Sequence, residues 1–209
     1  MPKPASPREM ILSNVELHKA LDDKRLIIDP EPLPRFPALG IHCPYDTHTV
    51  ELRLGNEIAI PNAGVFVYDH TQPGKLSEHI SRYSDKYVIS ERTPFKLDRD
   101  QFVLGITHER VHLPIDKNAD TCLAARIEGK SSRARCGLLI HFTAPTVHPG
   151  FEGRLVLEII NLGPSPILLT PDMYIAQPIV EEVKGIPNDE NPSEFQGQVS
   201  PARGNSSGA

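Results

Sequence analysis

Proline and glycine recur so often along this chain that few segments can form a long helix. Among 209 residues there are 21 prolines and 14 glycines, and short runs rich in Val, Ile and Leu lie between them. Proline lacks an amide donor and has a fixed φ, so it interrupts helices and inner strands. Short apolar runs bounded by turn residues predict an all-β sandwich or barrel. No G-x-G-x-x-G is present, which argues against a dinucleotide-binding α/β fold.

The apolar pattern predicts one short helix followed by many strands. Ser13 and Glu16 form a capping-box pair, and Leu17, Ala20 and Leu21 give the next residues an apolar face. Gly55-Asn56 is interpreted as a turn between two strands, and residues 70–85 as a surface excursion. The predicted strands are 26–29, 50–54, 57–60, 65–68, 86–89, 95–97, 101–107, 122–128, 138–143, 154–161, 167–169 and 174–182.

Polar composition at the two ends predicts the domain limits. Residues 1–9 are predicted to be a disordered extension, residues 10–183 a single β domain, and residues 184–209 a flexible tail. The formal net charge of -5 and pI near 6.0 argue against a general nucleic-acid surface. Three cysteines without a C-x-x-C pair suggest neither a disulfide framework nor a zinc knuckle. No apolar run is long enough to span a membrane, so a cytoplasmic protein is expected.

His108-Glu-Arg-Val-His112 matches the H-E-x-x-H pattern of zinc proteases. That pattern binds zinc only on a helix, where residues four apart share one face. Here it continues a predicted strand, in which residues four apart are separated by roughly 13 Å at ~3.3 Å per residue. Two imidazoles so far apart cannot bind one zinc ion at ~2 Å. The pattern is therefore interpreted as a polar strand end, and no zinc is expected.

A Gly129-Lys-Ser-Ser132 turn follows a predicted strand and precedes residues that can form a helical turn. Free backbone N–H groups at such a turn can bind phosphate, and Lys130, Ser131 and Ser132 add donors. A simple helix N-cap is the alternative. Arg135, one turn further on, either shares the face of the serines or is a surface cation. The full Walker A pattern is absent, so the chain is not a P-loop NTPase.

Glu158 lies in Leu155-Val-Leu-Glu-Ile-Ile160, an almost continuous apolar run. A carboxylate in such a run is desolvated and must be used by a ligand or a partner. One interpretation is general acid–base chemistry, and the other is a structural ion pair, for example with Arg135. The spacing does not decide between them.

Taken together, these segments resemble the dCTP deaminases of the trimeric dUTPase superfamily. The resemblance extends over residues 10–200 and rests on the order and spacing of eight segments. They are Met10-Ile-Leu-Ser13, Glu51-Leu-Arg-Leu-Gly-Asn56, Phe102-Val-Leu104, Glu128-Gly-Lys-Ser-Ser-Arg-Ala-Arg-Cys-Gly137, His141-Phe-Thr-Ala144, Pro149-Gly-Phe-Glu-Gly-Arg-Leu-Val-Leu-Glu158, Met173-Tyr-Ile-Ala-Gln177 and Phe195-Gln-Gly-Gln198.

The resemblance implies a distorted β jelly roll with a short N-terminal helix and a helical turn after Gly-Lys-Ser-Ser. It also implies a homotrimer with active sites shared between subunits. The implied reaction is the hydrolytic deamination of dCTP to dUTP and ammonia, a step toward dTTP. Magnesium would be bound to the triphosphate and not to protein side chains, and dTTP would be a feedback inhibitor.

The resemblance also implies roles for individual residues. Glu158 corresponds to the catalytic carboxylate, and Ser131 and Arg135 to the residues that hold the attacking water and the cytosine. The other implied nucleotide-binding residues are Lys130, Ser132, Ala144, Gln177 and Gln198. Gln198 would close over the phosphates as part of a lid formed by the tail. Glu158 and Ser132 also separate deaminases from plain dUTPases, which have an apolar residue and glycine there.

This sequence departs from the family pattern at four positions. Lys130 replaces the usual Arg, Glu51 replaces the commoner Asp, and Glu194 falls near a phosphate-binding Lys of some members. His148 stands where the family often has Asp, which argues against the first alternative, a bifunctional deaminase and dUTPase that forms dUMP and pyrophosphate. The second alternative is a non-catalytic nucleotide-binding protein of the same fold; the presence of Glu158, Ser131 and Arg135 argues against it.

Overall fold

The computed structural model describes residues 10–64, 76–188 and 196–202, and these form a mainly β structure. The helices are α1 (Asn14–Asp22), α2 (Leu76–Arg82) and the single turn α3 (Ser131–Ala134). The strands are β1 (Ile27–Asp29), β2 (Leu52–Pro61), β3 (Ser84–Val88), β4 (Phe95–Leu97), β5 (Phe102–His112), β6 (Thr121–Gly129), β7 (Leu138–Ile140), β8 (Thr146–Val147), β9 (Glu152–Asn161), β10 (Ile167–Leu169) and β11 (Tyr174–Lys184).

The strands pair antiparallel in one curled sheet with the order β7-β9-β5-β2-β11-β6-β8. β1 adds to β5 and β3 adds to β2, while β10 and β4 form a separate pair. Alternate residues of the long strands point into the main core, where Leu52, Leu157 and Ile175 are completely buried. The predicted mainly β fold, with a short N-terminal helix and a helical turn after Gly-Lys-Ser-Ser, is confirmed.

Helix α1 begins where the capping pattern predicts. The side chain of Ser13 accepts a hydrogen bond from the backbone N–H of Glu16 at 3.5 Å. Leu17, Ala20 and Leu21 are buried against the sheet, as their spacing indicates.

β2 is one continuous strand, so the predicted turn at Gly55-Asn56 is wrong. The register of β2 against β5 shifts between Leu54 and Ile58, which is the signature of a β-bulge. A Cβ at Gly55 would lie 3.0 Å from the carbonyl oxygen of Ile106, so glycine here permits close packing of two backbones. The bulge also lets β2 pair with β11 on one side and with β3 and β5 further along.

Two further predictions differ from the structure. The surface excursion at residues 70–85 contains the helix α2 and the start of β3. The strand predicted at 138–143 is shorter than expected: β7 ends at Ile140, because His141 has a left-handed backbone with φ of 52° and the strand pairing with β9 stops there. The strand predicted at 65–68 and the extension at 1–9 lie outside the described residues.

Part of the predicted C-terminal tail packs against the body of the chain. Gly197 donates a backbone hydrogen bond to Glu152 at 2.7 Å, and Arg154 donates one to Gln198 at 3.0 Å. The side chain of Gln196 donates to the carbonyl oxygen of Gly150 at 2.8 Å. Residues 196–198 thus lie beside the first half of β9, and the hydroxyl of Ser200 donates to Glu57 of β2 at 3.0 Å.

Candidate active site

The Gly-Lys-Ser-Ser turn is built where β6 ends and α3 begins. Lys130 occupies the N-cap position in an extended conformation, and its carbonyl oxygen accepts hydrogen bonds from the N–H groups of Arg133 and Ala134, both at 2.9 Å. Ser131, Ser132 and Arg135 are exposed on this turn. Their donors therefore face outward and can reach a ligand.

Two glycines fix the exit from α3 to the end of β9. Gly137 has a φ of 89°, and a Cβ added there would collide with the backbone of Gly163. Leu162 donates a backbone hydrogen bond to Gly137 at 2.8 Å. The buried side chain of Asn161 accepts one from the N–H of Gly163 at 2.9 Å. The position of Arg135 therefore depends on a tight contact that only glycines allow.

The ammonium of Lys130 is ion-paired to the carboxylate of Glu51, which lies directly before β2. Nε2 of His42 lies 2.5 Å from the other carboxylate oxygen. Lys130 Nζ also lies 5.5 Å from the ring centre of Tyr174, in a cation–π arrangement. Sequence reasoning identified Glu51 only as a departure from the family pattern and gave His42 no role.

Gln177 and Ala144 lie near the same end of β6. Gln177 is the cross-strand partner of Glu128, one residue before Gly129. On the other side of β6, Ile127 donates a backbone hydrogen bond to Pro145 at 2.9 Å, which places Ala144 beside Glu128. The chain therefore brings Gln177 and Ala144 to the β6 end that carries Lys130, Ser131 and Ser132.

Glu158 lies in the middle of β9, where buried and partly exposed residues alternate. The carboxylate is therefore on the face opposite Leu157 and Ile159, not enclosed on all sides as the apolar run suggests. Its Oε2 atom is nevertheless buried and has no hydrogen-bond partner among the described residues. Such an oxygen is costly unless a ligand or another subunit uses it.

His141 is a candidate site residue to which sequence reasoning gave no role. Its backbone N–H donates to the carbonyl oxygen of Glu158 at 2.8 Å, so the two residues are cross-strand neighbours. Its Nδ1 atom is also buried without a partner in the described part of the chain. The sequence signal was a histidine in the strand that pairs with the one containing Glu158, but spacing alone does not reveal that pairing.

Within one copy of the chain, Glu158 and Arg135 lie apart. β7 pairs Leu138 with Asn161, so α3 lies beyond the Asn161 end of β9. Glu158 is inside the strand, roughly 10 Å from Asn161 at ~3.3 Å per residue. The predicted alternative, an ion pair between Glu158 and Arg135, is not formed within the described residues. The two halves of the predicted site are thus separate in one copy of the chain.

The H-E-x-x-H pattern lies within β5, so its interpretation as part of a strand is confirmed. Glu109 is completely buried and accepts hydrogen bonds from the backbone N and the Nε of Arg53, at 2.8 and 2.7 Å. Burial is the largest single effect on Arg53 and lowers its pKa, but the hydrogen bond and the charge of Glu109, acting together with Asp172 and Tyr174, raise the pKa of the guanidinium overall. His108 Nδ1 lies 2.9 Å from Asp172. Because its carboxylate is already paired with Arg53, Glu109 is not available as a catalytic base.

Gln198 is buried against β9, next to Arg154. A Cβ at Gly153 would lie 2.9 Å from the backbone nitrogen of Gln198, so this glycine lets the C-terminal segment approach closely. The segment and Glu158 therefore lie along the same strand, and Gln198 is separate from the α3 turn. None of the described residues form a group of three or more His, Cys, Asp or Glu suited to hold a metal ion. No helix among them is long and apolar enough to cross a membrane.

Comparison with solved structures defines the fold class. A 2'-deoxycytidine 5'-triphosphate deaminase from Agrobacterium tumefaciens superposes with a TM-score of 0.58 at 18% identity. The match covers 84% of this chain and 48% of that one, so this chain spans about half its length.

Sequence comparison defines the family. The family model described as dCTP deaminase-like matches residues 11–183. A dCTP deaminase of Haloarcula marismortui is 35% identical over 199 residues, which cover 92% of each chain. A "dCTP deaminase, dUMP-forming" of Methanosphaera stadtmanae is 30% identical over 200 residues, which cover 91% of each chain. The chain belongs to the dCTP deaminase-like family, and the family predicted from its motifs is confirmed.

Proposed function

We propose that this protein is a cytoplasmic dCTP deaminase that hydrolyses dCTP to dUTP and ammonia without a protein-bound metal. The observation that carries the proposal is the buried, unpartnered carboxylate oxygen of Glu158 in a chain of this family. Hydrolysis of the cytosine amine needs a group that accepts a proton from water and then gives it up. A carboxylate in a partly enclosed site suits both steps.

In the proposed reaction, water attacks C4 of the cytosine ring and forms a bond from oxygen to carbon. Glu158 takes a proton from that water and delivers it to the ring at N3. A second proton from the new hydroxyl passes to the amine, the C4–N bond breaks, and ammonia leaves with a uracil ring behind. Ser131 and Arg135 hold the water and stabilise the charge that develops on its oxygen.

The triphosphate half of the site is proposed at the end of β6. Lys130 and Ser132 are the phosphate contacts, and Gln177 and Ala144 lie at the same end of the strand. Magnesium is proposed to bind to the triphosphate itself, as its preference for phosphate oxygens favours. Gln198 and the segment around it are proposed to be a lid over the nucleotide, and dTTP to be an inhibitor that competes for the same site.

A homotrimer with shared active sites is part of the proposal. Within one chain, the register of β7 and β9 separates Glu158 from the α3 turn that carries Ser131 and Arg135. In a cyclic trimer each interface joins two different surfaces, so a neighbouring copy can supply the missing half. This separation is the structural argument for subunit sharing.

The proposal is tested by incubating the purified protein with Mg-dCTP and, separately, with Mg-dUTP. Ammonia and pyrophosphate are measured in each reaction. Ammonia from dCTP with no pyrophosphate from either nucleotide is the expected result. Binding of dCTP without any product would instead indicate a non-catalytic nucleotide-binding protein.

A dUMP-forming deaminase is the second candidate, because relatives of this length carry that description. Such an enzyme must also activate a water molecule at the α-phosphate. The corresponding turn in this chain carries His148, which is exposed and whose carbonyl oxygen accepts a hydrogen bond from Phe151. Pyrophosphate in the dCTP reaction would establish this second candidate.

The role of Glu158 is tested separately by the substitution Glu158→Gln. The amide keeps the shape of the side chain but cannot accept a proton from water, so deamination is expected to fall by at least about 10³-fold. Binding of dCTP, measured by calorimetry, is expected to remain within a few fold. A variant with normal turnover would overturn the catalytic assignment.

A further inference from the structure

The side chain of Lys130 contacts Glu51 and Tyr174, and His42 contacts both of these residues. Glu51 comes from the residue before β2, His42 from the loop that precedes it, and Tyr174 from the start of β11. The side chains of Lys130 and Glu51 are only 16% and 13% exposed. Such low exposure is unusual for a lysine on a surface turn and indicates that the position of its side chain is constrained.

The carboxylate of Glu51 is used on both of its oxygens. One oxygen binds the ammonium of Lys130, and the other lies 2.5 Å from Nε2 of His42. The ring of His42 lies 4.6 Å from the ring of Tyr174, which also carries the Lys130 ammonium above its face. The backbone N–H of Glu51 donates to the carbonyl oxygen of Pro44 at 2.8 Å, so the main chain that carries this carboxylate is itself fixed.

The residue held in this way is the N-cap of α3. Lys130 provides no side-chain cap for the helix, and no buried side chain anchors α3 itself. Its carbonyl oxygen, however, accepts the first hydrogen bonds of the turn, from Arg133 and Ala134. Fixing the Lys130 side chain therefore fixes the start of the turn that presents Ser131 and Arg135.

We propose that Glu51, oriented by His42, is a positioning residue for the Lys-Ser-Ser turn. The inference rests on the proposed function of that turn. An ammonium has three donors, so Lys130 can bind Glu51 and still offer hydrogen bonds to a phosphate. The lengths of the Glu51 and Lys130 side chains are matched to each other. Replacing Glu51 with the shorter Asp and, at the same time, Lys130 with the longer Arg keeps their combined length.

The proposal makes a prediction opposite to that of simple charge repulsion. If Glu51 were only a carboxylate close to the phosphates, Glu51→Gln would remove repulsion and tighten dCTP binding. A positioning role requires the reverse, because the freed Lys130 and the turn behind it lose their anchor. Glu51→Gln is therefore expected to raise KM for dCTP by about 10-fold and to lower kcat by a similar factor.

A double-mutant cycle supplies the decisive test. Glu51→Asp and Lys130→Arg alone are each expected to lower kcat/KM by about 10-fold or more, and the combined variant to recover most of the loss. Asp98→Asn is the matched control, since Asp98 forms an exposed ion pair with Lys96 at 2.8 Å and should leave kcat/KM unchanged. Additive losses in the combined variant, or tighter dCTP binding in Glu51→Gln, would overturn the proposal.

Amide hydrogen exchange tests the same inference without any activity. Exchange in residues 131–137 is expected to accelerate in Glu51→Gln and to stay at the wild-type rate in Asp98→Asn. Unchanged exchange in folded Glu51→Gln would refute the positioning role. A wild-type protein without deaminase activity would instead refute the proposed function, so the two failures are distinguishable.

Discussion

Asn161 shows how one buried amide can organise the end of a strand. Its side chain donates to the carbonyl oxygens of Leu97 at 3.2 Å and Ser165 at 3.0 Å, and accepts from the N–H of Gly163. Each such hydrogen bond contributes about 1 kcal/mol to stability. Removing the amide also leaves its buried backbone partners without a hydrogen bond, which costs additional free energy. Asn161→Ala is expected to lower the free energy of unfolding by about 2–4 kcal/mol.

Urea denaturation at a fixed protein concentration measures this loss. Asn118 is exposed and its backbone N–H, not its side chain, bonds to Asp116. Asn118→Ala is therefore a control expected to change stability by less than about 0.5 kcal/mol. Equal stability of the two variants would contradict the role assigned to Asn161.

At the residue scale, the sequence was most informative where a residue type is unusual for its local pattern. A carboxylate in an apolar strand marked Glu158, and the strand context excluded a zinc-binding helix at His108–His112. The ion pair of the buried Glu109 with Arg53 and the contact between Glu51 and His42 were not predictable. Arg53 and Glu109 are 56 residues apart and meet through the pairing of β2 with β5. Glu51 and His42 are nine residues apart and meet through the path of the loop between them.

Helix α1 carries a buried histidine that links stability to pH. His18 packs edge-on against the rings of Phe36 and Tyr45, with centroids 5.0 and 4.7 Å away. Burial lowers its pKa most, and Arg35 lowers it further, whereas the acidic groups Asp22 and Glu31 act in the opposite direction. The folded state thus holds the proton less tightly than the unfolded state.

This difference in proton binding determines how stability changes with pH. The unfolded chain takes up a proton near the usual value of about 6.5, and the folded chain does so only at lower pH. The stability that neutral His18 confers is therefore complete at higher pH and lost as pH falls below about 6.5. In His18→Phe, the free energy of unfolding should fall less steeply between pH 7 and 5. Identical slopes in chemical denaturation of the two proteins would contradict this.

The exit of α3 depends on glycine for two separable reasons. Gly137 has a left-handed φ of 89°, and a Cβ there would also overlap the backbone of Gly163. Gly40 has a similar φ of 75° but no atom within 4 Å of its hypothetical Cβ. Gly40→Ala should cost about 1–2 kcal/mol through backbone strain alone.

Gly137→Ala should cost clearly more than that, by about 2 kcal/mol or more, because two backbones must separate. Thermal unfolding of both variants measures the difference. Equal losses would mean that the close approach of Gly137 and Gly163 does not contribute. A glycine in a predicted turn indicates from the sequence that its φ can be positive. The sequence does not indicate that the same glycine contacts a second segment of the chain.

At the element scale, the sequence predicted the existence of elements better than their limits. Strands at 95–97 and 167–169 have the predicted bounds, since turn residues border both. β2 continues through Gly55-Asn56 because glycine also suits a bulge in a sheet. Turn chemistry and bulge chemistry use the same residue, so the pattern alone cannot separate them.

The organisation of the whole molecule places the two halves of the proposed site on different parts of one sheet. The α3 turn lies past the Asn161 end of β9, and Glu158 lies within that strand. Residues 196–198 lie beside the other half of β9. A chain arranged in this way completes the proposed site only if a neighbouring copy supplies Ser131 and Arg135 to Glu158.

Mixing two inactive variants tests this sharing directly. Glu158→Gln and Ser131→Ala should each be inactive, because each removes a different half of the site. If every site combines Glu158 of one copy with Ser131 of the next, random mixed trimers contain about a quarter of intact sites. The co-refolded mixture should therefore regain about a quarter of the wild-type rate of ammonia release, and unmixed samples refolded in parallel should stay inactive. No recovery, in mixtures proven to contain both variants in one oligomer, would show that each chain builds its own site.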